Sequence, residues 1–230
     1  SDSAYGPTRR LCDTLLKRLG VTTEYYDPLI GSGIKALLRD NTKLVFTESP
    51  GSLTFEVQDI PAIAAEAHKV GAKVLMDNTW ASPIFFKPFE HGVDLSIQAA
   101  TKYIVGHSDA MLGTVTANAE NLEALQDVSY GLGYAAGPND IYLGTRGLRT
   151  IGVRLRQHME SGLTVARWLQ ERPEVVRVMH PALPDDPGHA LWKRDFNGAC
   201  GLFGFVIKSC PRPALEAMVN HFEYFGMGAS

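Results

Sequence analysis

Short apolar runs closed by polar residues recur along the first half of the chain, and helical spacing fills the gaps between them. Leu11, Leu15, Leu16 and Leu19 fall on one side of a helix over 8–20, stopped by Gly20. Residues 21–26 and 43–47 read as strands. Between them, Gly31-Ser-Gly33 before Ile34-Lys-Ala-Leu-Leu38 reads as a turn with Ser32 capping a helix, a simpler reading than a phosphate cup. A helix over 59–70 carries Asp59 as its cap, Pro61 in its first turn and Gly71 at its end. Residues 72–77 and 94–101 are apolar strands, 83–92 is a loop whose Phe85, Phe86 and Phe89 serve packing, and 110–118 is a further strand. Strand–helix alternation across 21–77 predicts an α/β fold with a mostly parallel sheet flanked by helices and right-handed crossovers.

The second half changes character. A helix over 120–130 ends at Gly131-Leu-Gly133, and Gly137-Pro138 breaks the chain. Residues 139–170 then read as one long bridging helix, with Gly144 and Gly147 as the places for a kink. Strands at 175–179 and 202–208 and a helix over 214–225 give an α+β pattern. The expected division is a large domain over 1–170 and the start of a smaller C-terminal domain over 171–230.

Composition narrows the functions. The chain has 230 residues with formal net charge −3, and its basic residues are scattered, so no nucleic-acid surface is expected. Arg146, Arg149, Arg154 and Arg156 are the nearest thing to a basic cluster, and they read as a solvated or interface face of the long helix. No apolar run reaches membrane-spanning length. Cys12, Cys200 and Cys210 have neither metal-ligand spacing nor a disulfide framework, which suits a reduced, cytoplasmic compartment. His107 and Asp109 lack a third convergent ligand for a metal.

The candidate chemistry lies between Ala72 and Ala110. One apolar run ends in Asp77-Asn-Thr-Trp80, and the next delivers Thr101 and Lys102. Ligands of open α/β folds sit at such strand ends. A lysine desolvated there is a stronger nucleophile, and a buried aspartate needs a cationic partner such as a protonated pyridine nitrogen. Those are the two protein groups that pyridoxal phosphate requires. A structural ion pair, or two separately solvated charges, would produce the same spacing.

Resemblance separates these readings. Asp77-Asn-Thr-Trp-Ala81, the run from Ser96 to Asp109, Glu48-Ser-Pro-Gly-Ser52, Thr145 to Thr150 and His189 to Phe196 together resemble the Cys/Met-metabolism family of pyridoxal-phosphate-dependent enzymes, over essentially the whole chain. The resemblance implies that Lys102 holds the cofactor and later takes the substrate α-proton. It implies that Asp77 faces the ring nitrogen, that Tyr5 stacks on the ring, and that Thr101 with nearby amides holds the phosphate. Ser230 falls in a loop beside the substrate carboxylate. Ala99 stands where a serine is common, so one phosphate contact is missing or supplied elsewhere. Ser52-Leu53 stands where Asn-Pro is frequent, which agrees with the β-lyase branch.

That branch implies carbon–sulfur β-elimination from cystathionine or a related S-substituted cysteine. A γ-lyase or γ-synthase would use the same residues on another bond. A nicotinamide dehydrogenase lacks its Gly-x-Gly-x-x-Gly signal here, and a binding protein on this fold would not need Lys102. A homo-oligomer, a dimer of dimers with shared active sites, is also implied. Finally, an upstream phosphate cup and a downstream carboxylate-clamping arginine are expected outside these residues. The 230-residue segment alone should therefore bind pyridoxal phosphate poorly and show little lyase activity, which absorbance and a keto-acid assay would measure.

Overall fold

The computed structural model describes residues 1–228. Four strands form the main sheet in the order β1 (Leu44–Glu48), β2 (Lys73–Asp77), β3 (Leu95–Gln98) and β4 (Thr114–Ala117). The first three are parallel and β4 runs antiparallel to β3. Alternate strand positions are fully buried, among them Val45, Thr47, Val74, Met76 and Ser96, because one face of the pleat is closed off.

Helix α1 (Gly6–Leu11) continues into a π-helical turn over Cys12–Leu16, and Gly20 ends the run at φ 82°. The helix expected there exists, but Leu11, Leu15 and Leu19 point outward and are exposed. Helix α2 (Ile60–Lys69) lays Ile60, Ile63, Ala64 and Ala67 in the core beneath β1 and β2. Its cap is the one read from sequence: Asp59 Oδ1 accepts from the Ala62 amide at 3.2 Å.

Three expectations need correction. Residues 21–26 run without a strand, because among the described residues no neighbour offers them a ladder. A groove of about 810 Å³ lies along them, lined also by residues 41–46 at the edge of β1. Ser32 caps nothing, since Gly31–Ala36 is a 3₁₀ helix starting before it. The loop at 83–92 holds helix α3 (Ser82–Phe85) and a 3₁₀ turn over Pro88–His91, with Phe85 and Phe86 buried and Phe89 exposed.

Helix α4 (Leu122–Gly131) follows β4. The single long helix is in fact two, α5 (Pro138–Leu148) and α6 (Ile151–Gln170), divided at Arg149–Thr150. Gly144 and Gly147 do not kink α5. They let it approach the loop after β3, where a Cβ on Gly147 would overlap the Ile104 carbonyl and stand 2.6 Å from that of Val105. Beyond α6, β5 (Val175–Met179) and β6 (Gly204–Ile207) pair antiparallel, accompanied by α7 (His189–Asp195) and α8 (Arg212–Asn220). This part docks on the first through Phe196, whose ring centroid is 4.7 Å from that of Phe86 and 6.1 Å from that of Trp80.

Two stability tests follow. Gly147→Ala should lower unfolding free energy by about 1–3 kcal/mol despite alanine's better helix propensity, because the clash is with rigid backbone. Denaturant titration measures it. The second concerns His180, fully buried against Trp80 and Phe203, with its pKa lowered by burial to about 4 from 6.5. The unfolded chain takes up this proton first. His180 is therefore neutral to stability above about pH 6.5 and destabilises progressively as pH falls towards 4, by about 3 kcal/mol in all. Comparing His180→Leu with the unsubstituted protein at pH 7 and pH 4.5 should show that loss shrinking in the variant.

Candidate active site

The C-terminal ends of β1, β2 and β3 bring polar groups to one edge. Glu48 stands opposite Asp77, and Asp77 opposite Ile97. Both carboxylates close apolar strands, so each is largely withdrawn from water. Burial holds the Asp77 pKa above its ordinary value, against hydrogen bonds from Thr79 that lower it. Burial also raises Glu48 to about 7, opposed by the Tyr5 amide and reinforced by the Asp77 charge.

Thr79 ties this edge together. Its amide donates to Asp77 Oδ1 at 2.9 Å, and its hydroxyl also serves that carboxylate. The same hydroxyl oxygen accepts the Ala99 amide at 2.8 Å, and the Ala99 carbonyl accepts the Lys102 amide at 2.9 Å. Asp77 and the backbone of Lys102 are thus joined through one threonine across neighbouring strand ends. Lys102 sits in the turn after β3 and is half-buried, less enclosed than a lysine at a strand end would be.

The lysine loop rests on a fitted floor. Gly144 and Gly147 of α5 lie against Leu112 and the Ile104–Val105 carbonyls. Arg154 of α6 donates to the Gly147 carbonyl at 2.9 Å and to the Thr150 hydroxyl at 3.0 Å, with a longer bond to the Ile104 carbonyl at 3.4 Å. Gly106 makes room for its guanidinium, which a Cβ there would overlap. Arg154 is therefore half-buried and structural, not part of the solvated face that the arginine spacing suggested.

The remaining candidates divide. Tyr5 reaches the same edge, its amide donating to Glu48 Oε2 at 2.7 Å while the residue stays half-exposed. Thr101 is close by, but its hydroxyl is engaged with Leu112, accepting the amide at 2.9 Å and donating to the carbonyl at 3.2 Å. Ser230 lies outside the described residues. His107 bonds back to the Val105 carbonyl at 2.8 Å and Asp109 pairs with Arg146, and no group of three or more metal-ligating residues occurs among the described residues.

Sequence reasoning gave no role to Glu48 or Thr79. The signal for Glu48 was present, since Lys43 to Glu48 is another apolar run closed by a carboxylate, as Ala72 to Asp77 is. Thr79 gave none, because its role is a bond to a strand distant in sequence. Together the groups fit pyridoxal phosphate: a partly buried carboxylate for a protonated ring nitrogen and a nearby amine for an aldehyde.

The chain matches the family model described as Cys/Met metabolism PLP-dependent enzyme over residues 1–230. It is 51% identical to the cystathionine β-lyase of Escherichia coli and 49% identical to that of Salmonella typhimurium, in each case over 100% of this chain and 59% of the relative. A solved cystathionine γ-synthase from Xanthomonas oryzae pv. oryzae, in complex with aminoacrylate and cysteine, superposes with TM-score 0.94 at 34% identity, covering 99% of this chain and 59% of that one. The chain thus spans about three fifths of the length of these relatives.

Thr79→Val keeps the shape and removes the hydroxyl. The Asp77 pKa should move further up, and stability should fall by about 1–2 kcal/mol because the Ala99 amide is left unpaired. Carboxyl NMR titration and denaturant unfolding read the two effects.

Proposed function

Since the chain belongs to the Cys/Met metabolism PLP-dependent enzymes, we propose that the protein is a carbon–sulfur β-lyase that cleaves cystathionine to homocysteine, pyruvate and ammonia. The observation that carries this reading is the Asp77–Thr79–Ala99–Lys102 chain of bonds, which gives the acid and the backbone that bears the lysine a fixed relation at one sheet edge. Relatives named β-lyase at 51% and 49% identity, against 34% for the γ-synthase, support the β regiochemistry.

In this reading Lys102 holds the cofactor through its amine and afterwards moves the α-proton. Bound pyridoxal phosphate supplies the electron sink for that step. Asp77 keeps a negative charge towards the ring nitrogen, and its desolvation strengthens that interaction. Tyr5 covers the ring, positioned by its amide bond to Glu48. Thr101 and neighbouring amides meet the phosphate, the hydroxyl sharing that role with its bond to Leu112.

The reading also places the active enzyme in the cytoplasm as a homo-oligomer, a dimer of dimers with shared sites. Outward apolar side chains such as Leu15, Leu19, Tyr130 and Tyr134 support an assembly that covers them. No helix among the described residues is long and apolar enough to cross a membrane. A large cofactor domain would end near residue 170, with a smaller one following.

Borohydride reduction of the cofactor-loaded protein, followed by peptide mapping, should label Lys102; a label on another lysine overturns the assignment. Cystathionine should yield pyruvate, whereas 2-oxobutyrate as the main keto acid would move the protein to the γ-lyase reading. Asp77→Asn should retain cofactor yet lose activity by about 100-fold or more, measured as turnover at saturating substrate.

A further inference from the structure

One short turn near the C-terminal part of the chain touches both loops of the candidate site. Cys200 to Leu202 lies between α6 and the loop after β2, with Cys200 fully buried. Gly162 of α6 lets it approach, since a Cβ on Gly162 would stand 3.1 Å from the Gly201 Cα. On one side, the Trp80 indole N–H donates to the Leu202 carbonyl at 2.8 Å. Trp80 is the third residue after Asp77 and is itself buried. On the other side, the Tyr103 ring packs edge-on against His158 of α6 at 5.5 Å, and His158 in turn flanks Gly201. Tyr103 directly follows Lys102.

We propose that the Cys200–Leu202 turn is a brace that sets the distance between the acid loop and the lysine loop, with Trp80 and Tyr103 as its two positioning residues. Neither residue is assigned contact with the cofactor. Trp80 acts on Asp77 through the intervening Asn78-Thr79, and Tyr103 acts on Lys102 through the adjoining peptide. Because the turn also abuts α6 and β6, any shift of the C-terminal part reaches both loops at once. The Thr79 link fixes backbone to backbone at the sheet edge, whereas the brace fixes how far each loop stands out from it. This inference rests on the site proposed above.

The test uses cofactor-loaded full-length protein carrying Trp80→Phe, Tyr103→Phe or both. Each single change keeps an aromatic ring and removes one polar group. The pH midpoint of the bound cofactor's visible absorption reports how acid and amine act on it, so each single variant should shift it by about half a pH unit or more. Turnover should fall about ten-fold with a smaller change in KM. The double variant should fall well short of the sum of the singles, because both act through one turn. Trp192→Phe is the control: its indole N–H donates to the Gly198 carbonyl at 2.9 Å, an equivalent bond away from both loops. It should lower stability without moving the absorption midpoint. Unshifted midpoints in both single variants, or strictly additive effects, would overturn the brace. Should borohydride labelling miss Lys102, the proposed site fails; labelling at Lys102 with no shift sinks only the brace. If Trp80→Phe does not fold, Tyr103→Phe and Cys200→Ser carry the same comparison.

Discussion

The Thr79 hydroxyl is the contact on which the site depends. It serves the Asp77 carboxylate and accepts the Ala99 amide, so one small side chain spans two strand ends. A backbone amide buried at such an edge needs a partner, and no continuing ladder supplies one past Gln98. The threonine meets that need and holds the acid in the same act. Around it, the stacked apolar strands withdraw Asp77 and Glu48 from water, which raises both pKa values and strengthens any cationic partner's attraction. The fold therefore creates the electrostatics simply by ending its strands where it does.

Packing beneath the lysine loop is of another kind. Gly147 and Gly106 matter for what they leave out: at each, a methyl group would collide with backbone or with the Arg154 guanidinium. Arg154 then donates to the Gly147 carbonyl at the end of α5, where the helix dipole is negative and favours a cation. The loop that carries Lys102 is thus clamped from below by close approach and from the side by hydrogen bonds.

Strands β1 to β3, the Asp59 cap and the strand-end Asp77 were legible because each is a local pattern: an apolar run, a capping residue, a terminal charge. Lys102, expected at a strand end, sits in the turn beyond β3. Strand β4 was also legible as a run, but its antiparallel direction, the break at Arg149–Thr150 and the roles of Gly144 and Gly147 depend on pairing and packing that periodicity alone cannot see. Residues 21–26 show the reverse case. Their composition favours a strand, yet a strand exists only with a neighbour to pair with. The Thr101 hydroxyl was legible as a candidate, while its engagement with Leu112 was not, because a hydrogen bond across eleven residues of loop leaves no mark in sequence spacing.

The central claim is that Asp77 holds the ring nitrogen of bound pyridoxal phosphate in its protonated form. Nitrogen NMR of cofactor labelled at that ring nitrogen, in the loaded full-length protein, reads this directly. The account predicts a pyridinium resonance in the unsubstituted protein that moves to the neutral pyridine position in Asp77→Asn. A neutral pyridine nitrogen in the unsubstituted protein, or one indifferent to Asp77, would contradict it.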